Sequence, residues 1–210
     1  FYNMYMSLTN RNGPARFAEG KYRVVGFDNY IRLLSQSDFY IVLGKTLLYA
    51  TLCVTLFFTV GLAFALILNH PAIRGRAIWR TLMILPWAVP TWVTALIWKF
   101  LFHGQYGPIN QILRLTGLPA PDWLLNGTSA FVAITVVNLW MSYPFFMLIL
   151  LGGLQSIPTD MYEAASIDGA SWWRQLWSIT LPLLRPVALP AVILSAIAQF
   201  QMFNTVWLMT

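Results

Sequence analysis

Apolar residues along this chain gather into long blocks; they neither alternate with polar ones nor recur in short amphipathic repeats. Four stretches contain no Asp, Glu, Lys or Arg: residues 46–73 (28 residues), 81–98 (18), 123–159 (37) and 186–210 (25). A bilayer core is about 30 Å thick, so a helix needs roughly 20 apolar residues to cross it. Each block holds one such helix, and the pattern predicts spans at about 43–69, 78–102, 129–153 and 187–209. Arg80 and Lys99 bracket the second block, where their charged ends can snorkel to the interface. The blocks are far longer than a barrel strand of about 10 residues, and helices are the other way to satisfy a backbone in lipid. The expected fold is all-α: a polytopic transmembrane helix bundle in one transmembrane domain.

The connecting segments are more polar. Residues 9–42 carry an apolar island at 24–34 suited to an interfacial helix, and 70–77 (HPAIRGRA) form a tight basic turn. Gly104, Gly107, Pro108, Gly117, Pro119 and Pro121 make 103–128 loop-like, with one short helix at 108–115. The charge-free start, FYNMYMSLTN, reads as the tail of a preceding helix, so both chain ends are expected to be cut. His70 and His103, at span ends, read as interfacial residues and not ligands.

Composition sharpens the picture. Of 210 residues, 58% are hydrophobic and only 10% are charged, against about 25% charged in a soluble domain. That excludes a soluble globular fold and a disordered chain. The net charge of +6 comes from scattered cations, whereas a nucleic-acid binder clusters them. Cys53 is the only cysteine, which excludes a disulfide framework and a cysteine metal site. Lys and Arg do not orient the bundle by the positive-inside rule: five lie on the side of the 70s turn and seven on the other.

Residues 155–186, QSIPTDMYEAASIDGASWWRQLWSITLPLLRP, are the most informative connection. Pro158 suits a helix start and Asp160 complements its dipole. Gly169 can end that helix at positive φ. Ser171 can cap a second helix at 172–178, which Pro182 and Pro186 then break before the last span. The expected product is a helical knob on the membrane surface. Ala164 and Ala165 allow close approach, and Trp172, Trp173 and Trp177 offer large amphipathic faces.

These residues carry a resemblance. Glu163-Ala164-Ala165, then Gly169, Ile179 and Leu181-Pro182 match every fixed position of the EAA loop of membrane subunits of binding-protein-dependent ABC importers. GFDNY (26–30), LPWAVP (85–90), ALIWKFLF (95–102), GPIN (107–110), YPFF (143–146) and GLQSIP (153–158) resemble the carbohydrate-type permeases with a MetI-like core, the larger maltose-type subunits most of all. The resemblance implies that Glu163, Ala164, Ala165, Asp168, Gly169, Ile179, Leu181 and Pro182 couple to an ATPase. It implies that loops 70–77 and 155–186 are cytoplasmic, and that further helices lie before Phe1 and after Thr210. The implied partners are a second permease subunit, an ATPase dimer carrying ATP and Mg, an extracytoplasmic sugar-binding protein, a sugar and the bilayer of a prokaryotic inner membrane.

The residues themselves agree with a transporter that lacks its own motor. No G-x-x-x-x-G-K-[ST] loop, HExxH or close Cys/His cluster occurs. No enzymatic site, resident cofactor, metal or nucleic-acid partner is expected. Polar groups within spans are costly and tend to face a partner or cavity. Asn138, Met141, Ser142 and Phe145 share one helix face, as do Ser195, Gln199 and Met202, with Gln201 and Asn204 adjacent. Trp87, Thr91, Thr94 and Trp98 form a third stripe, on a helix that Pro86 and Pro90 should kink. Amides and hydroxyls suit sugar hydroxyls, and aromatic faces suit sugar C–H faces. In the maltose-type subunits, substrate contacts fall on segments matching Thr91 or Thr94, 138–145 and 195–204. The expected substrate set is therefore Thr91, Thr94, Asn138, Met141, Ser142, Phe145, Ser195, Gln199, Met202 and Asn204. Gln199, Gln201 and Met202 stand where asparagines are usual, and Ser142 where glycine is, which leaves the sugar open. A glycerol-3-phosphate permease is the alternative cargo reading. A secondary transporter is a further one, which would need intramembrane ionisable residues and internal repeats.

Overall fold

The protein is described here by a computed structural model covering residues 1–10, 23–202 and 208–209. Among these residues there is no strand, only a bridge pair between Thr9 and Val24. The chain divides into two compact units, Phe1–Tyr49 and Ala50–Thr210.

The first unit holds α1 (Tyr2–Ser7), α2 (Asp28–Leu34) and the opening turns of α3 (Ser37–Asn69). Asn29 ties α2 to the end of α1 and the turn that follows it, its Nδ2 donating to the Ser7 and Thr9 carbonyls at 2.9 Å each. Ser7 and Tyr30 share a hydroxyl contact of 2.6 Å. Phe27, Ile31 and Leu34 are exposed, the apolar face an interfacial helix requires.

The second unit is organised around α7, after α4 (Arg76–Ala88), α5 (Thr91–Leu101) and α6 (Pro108–Leu115). α7 itself is Gly127–Gln155. Asn126 caps α7, accepting from the Thr128 N–H at 2.9 Å. Pro144 lies inside α7, which stays continuous. Along α3 the buried positions Cys53, Phe57, Gly61, Ala65 and Leu68 recur at helical spacing. They meet α7 through ring contacts of Phe57 and Phe58 with Phe146 (6.5 and 6.2 Å) and of Phe64 with Tyr143 (5.1 Å). Tyr143 also donates to the Met83 carbonyl of α4 at 3.1 Å.

Gly61 is what permits the α3–α7 approach. A Cβ there would lie 2.5 Å from Phe146 Cβ and 2.9 Å from the Met147 nitrogen. Small residues let membrane helices pack backbone to backbone. Gly61→Ala is expected to destabilise the protein by about 1–3 kcal/mol, the usual range for overpacking. Gly152→Ala on α7, where a Cβ meets nothing within 4 Å, is the control and should be neutral. Thermal unfolding of the purified pair in detergent checks this; equal melting temperatures would refute it.

Among the described residues three helices are long and apolar enough to cross a membrane: Ser37–Asn69, Gly127–Gln155 and Trp172–Phe200. The second expected span is not one helix. α4 and α5 meet at a bend of 92°. Pro90 has no N–H to donate and forces the preceding residue out of helical space; Val89 is extended accordingly, at φ −80°, ψ 129°. Pro86 and Pro90 predict a kink here, and the structure has a full break.

The last helix departs in the opposite sense. Pro182 and Pro186 do not interrupt it. After α8 (Thr159–Ile167), α9 (Trp172–Gln175) runs through a π turn (Leu176–Thr180) into α10 (Leu181–Phe200). In the π turn the Leu181 N–H donates to the Leu176 carbonyl, five residues back. The ring of Pro182 would press on the Ser178 carbonyl, and Ser178 lies in this widened turn. Pro182, Pro186 and Pro190 then recur every four residues, so each missing N–H falls opposite the carbonyl of Ser178, Pro182 or Pro186. The helix therefore begins about fifteen residues before the expected span start at 187. Positions 203–207 of that expected span lie outside the described residues.

Between α5 and α7, Asn110 is fully buried. Its Nδ2 donates to the Gly104 and Pro121 carbonyls at 2.9 Å each, and its Oδ1 accepts from Trp123 Nε1 at 2.7 Å. One side chain thus fixes both ends of the 103–123 loop. His103 caps that loop, its Nδ1 accepting from the Gln105 and Tyr106 N–H groups.

Candidate functional site

A cavity of about 600 Å³ opens between α7, α10 and the α4–α5 break. Eight of the expected substrate residues line it: Thr91, Asn138, Met141, Ser142, Phe145, Ser195, Gln199 and Met202. Asn138 is its best-fixed polar group, 5% exposed. Its Nδ2 donates across the helix boundary to Gln199 Oε1 at 2.6 Å, and its Oδ1 accepts from the Ser142 hydroxyl at 3.3 Å. Asn138 Nδ2 also lies 3.7 Å from Cys53 Sγ on α3. Trp87 and Phe145 pack 6.4 Å apart on one wall. Among the described residues no Asp, Glu, Lys, Arg or His lines the cavity.

Two expected residues fall outside this group. Thr94 is 1% exposed and turned into the packed interior, away from the cavity lining. Its Oγ1 has no hydrogen-bond partner among the described residues. Thr91 and Thr94 both lie on α5, three residues apart, yet only Thr91 faces the cavity, which it lines together with Trp87 from across the bend. Trp98 instead joins an aromatic cluster with Phe102 and Trp140, at 5.5 and 5.8 Å. Asn204 lies outside the described residues. Conversely, Val89, Leu194, Ala198 and Gln201 line the cavity without having been assigned to it. Leu194 and Ala198 sit one turn apart beside Ser195 and Met202, so helical spacing alone could have found them. Val89 is brought in by the break.

The second candidate element is the helix pair α8–α9. α8 closes with a paired Schellman arrangement: the Gly169 N–H donates to the Ser166 carbonyl at 3.0 Å and the Ala170 N–H to the Ala165 carbonyl at 2.9 Å. Gly169 has φ +74°. Ser171 caps α9, its hydroxyl accepting from the Arg174 N–H at 3.4 Å. Tyr162 meets the Thr180 hydroxyl at 3.0 Å, and Gln175 Nε2 donates to Ser166 Oγ and the Ala170 carbonyl at 3.0 and 3.1 Å. These bonds join the two helices into one piece. Glu163, Ala164, Asp168 and Gly169 are exposed on it, while Ala165, Ile179, Leu181 and Pro182 are half-buried. Among the described residues no group of three or more His, Cys, Asp or Glu could hold a metal.

A bundle of apolar helices, a broken span beside an uncharged cavity and an exposed EAA helix pair define a membrane transport component. The model of the family described as "Binding-protein-dependent transport system inner membrane component" matches residues 57–207, and the chain belongs to that family. Among its relatives is the trehalose/maltose transport system permease protein MalF of Thermococcus litoralis, 42% identical over 186 residues, covering 89% of this chain and 63% of the relative. The maltose/maltodextrin permease protein MalF of Escherichia coli K12 is 34% identical over 212 residues, covering 98% of this chain and 41% of the relative. The chain therefore spans less than two thirds of these proteins. The fold also matches a bacterial alginate ABC transporter crystallised with an alginate pentasaccharide-bound periplasmic protein. The TM-score is 0.74 at 23% identity, over 93% of this chain and 65% of that one.

Proposed function

We propose that this chain is the permease core of an ABC importer for a neutral carbohydrate of the maltose or trehalose type. The observation that carries the cargo assignment is the lining of the first cavity. It offers amides, hydroxyls and a tryptophan face, and no charged side chain among the described residues. Neutral groups of this kind bond sugar hydroxyls and cover C–H faces without the desolvation cost of an unpaired charge. The names of the MalF relatives support the same cargo.

In this reading the chain pairs with a second permease subunit that completes the cavity. An extracytoplasmic binding protein delivers the sugar, and an ATPase dimer holds ATP and Mg on the cytoplasmic side. The α8–α9 pair takes up the movement of the ATPase. The EAA positions Glu163, Ala164, Ala165, Asp168 and Gly169 lie at the contact, and Ile179, Leu181 and Pro182 root the pair in the last span. The π turn and the proline stripe pass that movement into α10, whose far end carries Ser195 and Gln199, with Met202 just beyond it. The cavity thereby opens alternately to the two sides. The chain moves sugar without altering it.

The test is ATPase stimulation in the complex assembled with its co-expressed subunits and binding protein. Maltose or trehalose should raise the rate several-fold, and glycerol-3-phosphate and alginate oligosaccharides should not. Stimulation by the anionic compounds alone would overturn the neutral-sugar assignment. Failure to purify with any Walker-motif ATPase would overturn the ABC assignment.

A further inference from the structure

A second cavity, of about 610 Å³, lies between the α8–α9 pair and the adjoining ends of α3 and α7. Its size falls within the range of small-molecule sites, about 300–1,000 Å³. Leu66, Leu154, Ile157 and Leu176 supply apolar surface, and Tyr162 and Trp172 supply aromatic rings. The polar side chains include those of Asn69, His70, Gln155, Thr159, Gln175 and Thr180, and among the described residues no Asp, Glu, Lys or Arg lines the cavity. This repeats the chemistry of the first cavity: uncharged donors and acceptors beside aromatic and aliphatic surface.

Both walls are held from behind. On one side, Arg76 braces the turn after α3, donating to the Ile73 and Pro71 carbonyls at 3.2 and 3.1 Å. His70 Nδ1 accepts from the Ala72 N–H at 3.2 Å, which leaves Nε2 as the protonated donor of the neutral ring. On the other side, the Tyr162–Thr180 and Gln175–Ser166 contacts fix the helix pair. Among the described residues no hydrogen bond runs across the cavity from Asn69 or His70 to that pair. A ligand with several hydroxyls could make those bonds and link the two walls.

We propose that this second cavity binds a neutral polyhydroxylated ligand of mono- or disaccharide size, and that its occupancy wedges the α8–α9 pair against α3 and α7. The regulatory part rests on the ABC-permease reading above: a wedged pair cannot follow the ATPase, so the bound ligand inhibits. Sugar accumulating on the coupling-loop side would thereby slow further import.

The test uses the assembled complex in lipid nanodiscs, which avoids sugar-headed detergents, with maltose, trehalose and glucose as probes. Equilibrium binding of radiolabelled sugar should show two classes of site. Asn69→Leu and His70→Leu should remove one class, and Asn138→Ala the other. ATPase activity should rise at low sugar and fall at high sugar, and the falling limb should move at least tenfold higher in Asn69→Leu and His70→Leu. Gln155→Leu, on the α7 wall, is the second variant should either of those fail to assemble. Two classes of site that are both insensitive to all three substitutions would overturn the proposal, as would binding of none of the three sugars outside the Asn138-dependent site. Persistence of both classes in Asn138→Ala, with one class still removed by Asn69→Leu and His70→Leu, would instead overturn the reading of the first cavity.

Discussion

Gly169→Val is expected to reduce transport at least tenfold while the ATPase partner still co-purifies and still hydrolyses ATP. The cause is backbone conformation, not space. A Cβ at Gly169 meets nothing within 4 Å, yet the residue sits at φ +74°. An L-residue pays about 1–2 kcal/mol for that conformation, and a β-branched one is a strong outlier there. Valine would shift φ to negative values and lose the two Schellman bonds from Gly169 and Ala170, changing the angle between α8 and α9. The Tyr162–Thr180 and Gln175–Ser166 contacts depend on that angle. A graded series separates this cause from simple unfolding. Gly169→Asn, which tolerates the left-handed region, should retain most transport; Gly169→Ala should fall between, and Gly169→Val lowest. The measurement is sugar uptake per ATP hydrolysed in proteoliposomes. Equal coupling ratios for Gly169→Val and the parent would show that this turn does not transmit the ATPase movement.

That turn was legible in the sequence because its signals are local. A glycine after a helical run and a serine two residues on specify a cap and a restart whatever surrounds them. The transmembrane class was legible for a similar reason: lipid leaves a backbone few solutions, and uncharged block length reports one of them. Prolines carried less. Pro90 ends a helix and Pro186 does not, although both stand in apolar runs. Pro90 follows Val89, which turns extended, whereas Pro182 follows a π turn that makes room for its ring. Whether a backbone can take up a π turn depends on its packing, and spacing does not encode that. Thr94 lies on the same helix as Thr91 but faces the packed interior, a difference that a spacing of three residues does not resolve. The Gly61 contact with Phe146 and Met147 joins residues some 85 positions apart, and a single sequence holds no signal for it. By contrast, the faces of α7 and α10 were readable, because both helices are continuous through the cavity.

Asn138→Ala is expected to raise the sugar concentration for half-maximal uptake at least tenfold and to leave assembly with the ATPase intact. Asn138 has two ways to matter, and they differ in magnitude. As a helix–helix hydrogen bond, its contact with Gln199 at 2.6 Å is worth about 0.6 kcal/mol on average in membrane proteins. A loss of that size would lower the melting temperature slightly and change uptake little. As a sugar ligand, its removal would leave substrate hydroxyls unpaired in a site that is only 5% exposed at this residue, a penalty of about 1–3 kcal/mol. Gln199→Ala separates the two. If the amides serve only each other, either single substitution gives the same small stability loss, and the double variant adds nothing. If they also serve the sugar, each single variant weakens uptake, and the double variant departs from additivity because the pair shares a bond. Ser142, which donates to Asn138 Oδ1 at 3.3 Å, should show a smaller effect of the same kind. Unchanged uptake in Asn138→Ala, with a lowered melting temperature, would make the Asn138–Gln199 pair a structural contact and move the substrate path elsewhere in the cavity.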